Sequence, residues 1–135
     1  MSRITGGCLC GAVSFELNDD FRSLNFCHCK QCQRATGSAH ASNLFTDPDS
    51  IQWLSGENFI KRFDVPGRMI SKAFCSECGA GLPYVSRSSG ALVVPAGALD
   101  SFFDSNPDMR TIFWAERAGW YDSALVADRH DAFPG

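Results

Sequence analysis

Cys8-Leu9-Cys10-Gly11, Cys27-His28-Cys29-Lys30-Gln31-Cys32 and Cys75-Ser76-Glu77-Cys78-Gly79 hold every cysteine of the chain, and their reading decides the fold. Seven is an odd count, so a fully paired intrachain disulfide framework is excluded. Metal is the obvious alternative. Zinc takes thiolates in a tetrahedron at about 2.3 Å. Cys75 and Cys78 have the C-x-x-C spacing of a zinc turn, and Gly79 supplies a left-handed position from which amide N–H groups can face sulfur. Cys8 and Cys10 form a tighter pair, also followed by a glycine. The simplest assignment is a closed structural site made of Cys8, Cys10, Cys75 and Cys78. It pins the amino-terminal strand to a hairpin about 65 residues later and contributes folding free energy on the order of 10 kcal/mol.

Cys27, Cys29 and Cys32 remain. Three protein ligands and an open fourth position are the mark of a catalytic zinc, so the division of seven into four and three predicts two zinc ions per chain, one structural and one catalytic or exchangeable. A second, purely structural zinc is the main rival, with His28, His40 or a distant side chain as fourth ligand. Buried apolar thiols and a redox C-x-x-C are weaker readings. His28 lies between two ligating cysteines, so its side chain should point away from the metal, as a hydrogen-bonding or substrate-facing group. His40 and His130 read as ordinary polar positions. Lys30 and Arg34, the nearest cations in sequence, either offset thiolate charge, receive a carboxylate, or are simply solvated. Phe45 and Trp53 read as core more readily than as pocket walls.

The rest of the chain reads as a mainly β domain with little helix. Val13, Phe15 and Leu17 alternate with polar residues, and further strands are expected over 21–26, 38–45, 51–54, 59–65, 69–74, 82–86, 92–94 and 112–114. One or two helical turns are expected over 29–35, closed by Thr36-Gly37. With 135 residues the whole of 1–135 is expected to be one domain. Hydrophobic residues at 44% and charged residues at 20% exclude a disordered chain. The net charge of −3 argues against nucleic acid, and seven thiolates with two zinc ions add roughly −3 more. No apolar run approaches the ~20 residues that cross a membrane. The opening Met1–Gly7 lacks the apolar stretch of a signal peptide, which predicts a reducing, cytoplasmic setting. Phe102, Phe103 and Trp114 leave room for a homodimer.

Taken together, the three clusters resemble the glutathione-dependent formaldehyde-activating enzyme family, which includes centromere-protein-V-like proteins. The matching stretches are Gly7–Val13, Cys27–Gly37 and Phe74–Gly79, with looser matches at Val94–Asp100, Pro107-Asp108 and Trp120-Tyr121. Ala80, Thr111 and Gly119 depart from the family pattern, and none is a cysteine. The resemblance implies a β-tent fold of small antiparallel sheets around the four-cysteine zinc. It implies the same split of ligands, with Cys27, Cys29 and Cys32 at the catalytic metal. It also implies a carbon–sulfur lyase that joins formaldehyde and glutathione into S-(hydroxymethyl)glutathione, its partners being a small-molecule thiol and an aldehyde. A reading from another class is a zinc-stabilised binding module without catalysis, against which the lack of a basic tail counts where chromatin is the partner.

Overall fold

The computed structural model describes residues 2–135, which form three small sheets. The first joins β1 (Arg3–Gly7), β2 (Ser14–Asn18) and β5 (Gln52–Ser55) in that order, all antiparallel. The second runs β11 (Asp108–Ile112), β3 (Ser23–Cys27), β4 (Ala41–Thr46), β10 (Leu92–Pro95), β9 (Tyr84–Val85). The third is β6 (Ile60–Asp64), β7 (Ser71–Cys75) and β8 (Gly81–Leu82), again antiparallel. Two short helices complete it, α1 (Lys30–Thr36) and α2 (Tyr121–Ala124). The mainly β class follows as expected, and among the described residues no helix is long and apolar enough to cross a membrane.

Alternation explains the first sheet. Phe15 and Leu17 are fully buried, and Trp53 of β5 meets Phe15 edge-on with ring centroids 5.7 Å apart. Trp53 is thus core, as expected of it. Leu44, Leu82, Leu92 and Val94 extend the same apolar cluster from the second and third sheets. β1 has no counterpart in the predicted strands. Its residues Arg-Ile-Thr-Gly-Gly offer one large apolar side chain, Ile4, too few for a periodic pattern. Gly6 is required there by close approach: a Cβ would lie 2.5 Å from the Phe15 ring and 2.6 Å from the Ala98 carbonyl.

Two further differences concern β11. It lies at 108–112 rather than 112–114, and it runs parallel to β3, the one parallel strand pairing among the described residues. Asp108, Met109, Arg110 and Thr111 are all exposed, so no burial pattern marks the strand in the sequence. At its end Phe113 adopts a left-handed conformation, φ 53° and ψ 39°, which turns the chain back across the amino-terminal end of α1. The helix forms where the sequence places it. Cys29 is its N-cap, its sulfur accepting from the Cys32 amide, and Gly37 closes it at φ 65° with its N–H on the Gln33 carbonyl.

Candidate metal centres

The fold gathers Cys8 and Cys10 from the turn after β1 with Cys75 at the end of β7 and Cys78 in the turn that follows. A tetrahedral zinc with Zn–S of about 2.3 Å spaces its sulfurs about 3.8 Å apart. Here the Cys8 and Cys10 sulfurs are 3.6 Å apart, and those of Cys10 and Cys75 are 3.9 Å apart. Amides face the sulfurs: the Val13 N–H donates to Cys8 at 3.2 Å and the Glu77 N–H to Cys75 at 3.4 Å. Gly79, at φ 78°, turns the chain so that the Ala80 amide reaches Cys78. The amides of Ala80 and then Cys10 pull the Cys78 thiol down to about 6. At Cys8 burial pushes upward, but the Val13 amide and the Cys10 and Cys75 thiols outweigh it, and the net shift is downward. At Cys10 the Ala12 amide pulls down, yet burial and the crowd of sulfurs drive it up to about 11. Thiolates favoured by fixed dipoles but crowded against one another call for a cation, so this donor set fits a zinc-like ion.

The second cluster is Cys27 at the end of β3, Cys29 at the helix cap and Cys32 in the first turn of α1, all sulfurs within 4.8 Å of one another. Among the described residues no His, Asp or Glu donor joins them. Cys27 and Cys29 are buried, Cys32 half-buried. Burial first, then the neighbouring sulfurs, raises the Cys32 thiol well above its ordinary value, and burial raises Cys27 as well. Three soft donors at this spacing also fit a thiophilic cation, with one position left over.

His28 does not face substrate space. It is 1% exposed, boxed by the rings of Tyr121 (4.7 Å between centroids), His40 (4.8 Å) and Trp114 (5.1 Å). Its Nδ1 is buried without a partner, and burial, with the charges of His40 and Arg117 behind it, holds the imidazole below its ordinary value. Trp114 and Tyr121, from the chain after β11, cover the side chain. His40 is correspondingly more than an ordinary polar position: it packs on Phe26, His28 and Tyr121. His130 lies on the exposed carboxyl-terminal segment, as a polar position should.

Residues that the sequence reading did not single out lock this loop. The His28 amide donates to the Ile112 carbonyl at 3.0 Å. The Lys30 amide, first in α1, donates to the Glu116 carboxylate at 3.2 Å. The Gln33 side chain donates to the carbonyls of His28 at 2.8 Å and Glu116 at 3.1 Å. Gln33 sits inside the Cys27–Gly37 stretch but reads there as a plain helix former, and Glu116 is 86 residues from its partner. Nothing local announces either.

Cys8 and Cys32 open onto one cavity of about 760 Å³, walled by Asn43, Lys72, Leu82 and Tyr84 among others. The Tyr84 hydroxyl is held above its ordinary value by burial and by the nearby Cys32. Phe45 lines a separate recess beside Cys29, whereas core was the expected place for it. Of the three aromatics that left room for a dimer, Phe102 is fully exposed, Trp114 partly so, and Phe103 packs edge-on against Phe21.

Three small sheets carrying two cysteine clusters, one of four and one of three, each able to hold a metal ion, define a mainly β fold with candidate metal centres. The chain belongs to the glutathione-dependent formaldehyde-activating enzyme family, whose model matches residues 3–116. Among solved structures it is similar to the crystal structure of a Rhodobacter sphaeroides protein, with a TM-score of 0.59 and 24% identity, over 80% of this chain and 99% of that one. That likeness is one of fold. Among curated proteins nothing matches the chain.

Proposed function

We propose that the chain is a zinc-dependent enzyme of the carbon–sulfur lyase type that makes or breaks the adduct of a thiol with an aldehyde, in the manner of S-(hydroxymethyl)glutathione synthesis in a reducing cytoplasm. The observation that carries this is the three-cysteine cluster without a fourth protein donor, whose Cys32 opens onto the large cavity. Family membership supports it. Cys8, Cys10, Cys75 and Cys78 would hold a structural zinc. Cys27, Cys29 and Cys32 would hold a second. When bound there, that ion supplies a Lewis-acidic centre with one exchangeable position, suited to a thiol sulfur.

The chain's own residues supply the rest. Cys29 and Cys32 are fixed by the helix cap that they themselves form, and Cys27 by its ladder partner Ala41. Glu116 and Gln33 tie the cysteine-bearing loop to the chain after β11 by hydrogen bonds. Leu82 and the ring of Tyr84 give the cavity apolar walls, while Asn43 and Lys72 offer it polar contacts for an aldehyde or hydroxymethyl oxygen. Holding thiol and aldehyde in one enclosed volume converts a bimolecular addition into a local one.

The test compares Cys29→Ser with Cys78→Ser. Zinc per chain is measured by mass spectrometry after dialysis against a mild chelator, alongside thiol-dependent formaldehyde consumption. Cys29→Ser is expected to keep the fold, hold one zinc and lose turnover. Cys78→Ser is expected to unfold, having lost a tie worth on the order of 10 kcal/mol. If both variants unfold alike, both sites are structural and the reading falls to the non-catalytic zinc module.

A further inference from the structure

β11 closes one edge of the five-stranded sheet, with β3 on its inner side. The Asp108 N–H donates to the Arg22 carbonyl at 3.1 Å, and the Ile112 carbonyl accepts from the His28 amide at 3.0 Å. A parallel ladder uses every second residue, so Asp108, Arg110 and Ile112 turn their main-chain groups toward β3. The amides and carbonyls of Met109 and Thr111 therefore point out of the sheet, and among the described residues no other element bonds to them. Such an edge is a template for a further strand. The remaining edges are less open. Along β1 the Asp100 amide donates to the Thr5 carbonyl, and Gly6 bridges to Leu99. On β6 the carboxylate of Asp64 is already held by Arg62, Arg87 and the Ser71 hydroxyl. β5 carries no charge, and β8 and β9 are two residues long.

We propose that the free edge of β11 pairs with β11 of a second copy of this chain, antiparallel about a two-fold axis through Met109. Charge selects both the occupant and the register. Asp108 and Arg110 stand two residues apart with side chains 74% and 55% exposed, on either side of Met109. A two-fold at Met109 sets Asp108 of each copy opposite Arg110 of the other. These are pairs without main-chain bonds, where Cα atoms approach to about 4.5 Å and side chains meet most closely. The Met109 amides and carbonyls then bond each other across the axis, and each Thr111 amide reaches the Pro107 carbonyl of the other copy. Pro107 has no N–H to return, so the ladder ends there. Moving the axis to Arg110 opposes the two Arg110 side chains, and moving it to Asp108 opposes the two carboxylates. Slipping by one residue faces outward main-chain groups against inward ones. Charges that guard an edge against pairing do so by like-charge repulsion; this edge is instead complementary to itself.

Sedimentation equilibrium of the metal-loaded full chain up to about 1 mM reaches the dissociation constants of small interfaces. The parent is expected to pass from monomer to dimer within that range. Asp108→Arg turns both cross-copy pairs repulsive and should weaken the dimer about tenfold. Asp108→Arg/Arg110→Asp restores the pairs and the parent's net charge, and should restore the dimer. Met109→Pro removes an outward amide while sparing the ladder to β3, and should leave a folded monomer. Hydrogen exchange gives an independent reading: the Met109 and Thr111 amides should slow as concentration rises, with Asp108 and Arg110 unchanged. A parent that stays monomeric throughout, or a dimer indifferent to Asp108→Arg or to Met109→Pro, overturns the proposal. A double variant that fails to recover the dimer while keeping the parent's fold by circular dichroism overturns the charge-set register.

Discussion

His28 should behave as an aromatic plug rather than as a polar group. Its ring is enclosed by Tyr121, His40 and Trp114, and its Nδ1 finds no partner. Truncation to Ala removes a ring from a fully enclosed box, which costs about 3–5 kcal/mol for Phe or Trp in a core. The same truncation removes a buried unsatisfied polar atom, which returns about 1–3 kcal/mol. The net expectation for His28→Ala is a loss of about 2 kcal/mol, or roughly 6–10 °C in melting temperature for a domain of this size. Phe keeps the ring and discards the unsatisfied nitrogen, so His28→Phe should stay within about 1 kcal/mol of the parent, the residual being a small overpacking cost. The assay is urea unfolding of zinc-loaded protein with zinc per chain counted for each variant. His28→Ala should fall from two zinc ions toward one, since the box anchors the backbone between Cys27 and Cys29. His28→Phe should hold both. If His28→Phe loses stability and metal as His28→Ala does while His28→Asn retains them, the imidazole acts through its nitrogens and the plug account is wrong.

Other perturbations follow from single contacts. Glu116→Ala removes the acceptor of the first α1 amide and should cost about 1 kcal/mol, visible as faster hydrogen exchange at Lys30 with little change in the four-cysteine turn. Asp19 accepts from the amides of Asp104 and Ser105 and from the Ser105 hydroxyl. Burial there pushes its carboxyl up, but these donors outweigh it and hold it below the usual range. The stability it adds is therefore full above the unfolded value near ~3.9 and is lost as pH falls through the lower folded value; in Asp19→Asn, unfolding free energy should be about 1 kcal/mol smaller at pH 7 and fall less steeply on acidification. Gly6→Ala drives a methyl into the Phe15 ring and the Ala98 carbonyl, for a loss of about 2 kcal/mol by calorimetry; an unchanged melting temperature would contradict the close approach.

The sequence carried the parts of this molecule whose cause is local. Alternation located β2, and composition with the Thr36-Gly37 stop located α1, while its Cys29 cap came only with the structure. The grouping of the cysteines into four and three was legible because each half is a short turn, and only their meeting needed the fold. What was hidden depends on contacts distant in the chain. β1 is a strand because Phe15 and Leu17 lie opposite it, not because of its own residues. β11 is held by pairing to β3 with every one of Asp108 to Thr111 exposed, so no periodicity could report it. His28 was misread for the same reason: the rings that enclose it, Trp114 and Tyr121, come from the far end of the chain.

The parallel strand at the sheet's edge sets an order of assembly during synthesis. A nascent chain can pair β3 with β4 as soon as residue 46 is free, which places Cys27 and Cys29 early. The clamp arrives last, since Ile112 and Glu116 are made more than eighty residues after the loop they secure. Contacts so far apart in sequence close slowly. Until then the loop that carries the three thiols lacks its contacts to Ile112 and Glu116. A chain cut short before residue 108 would retain the sheet's centre and all seven cysteines, yet never fasten the loop. Only with the carboxyl-terminal segment in place are the contacts of Ile112 and Glu116 to the three-cysteine loop complete.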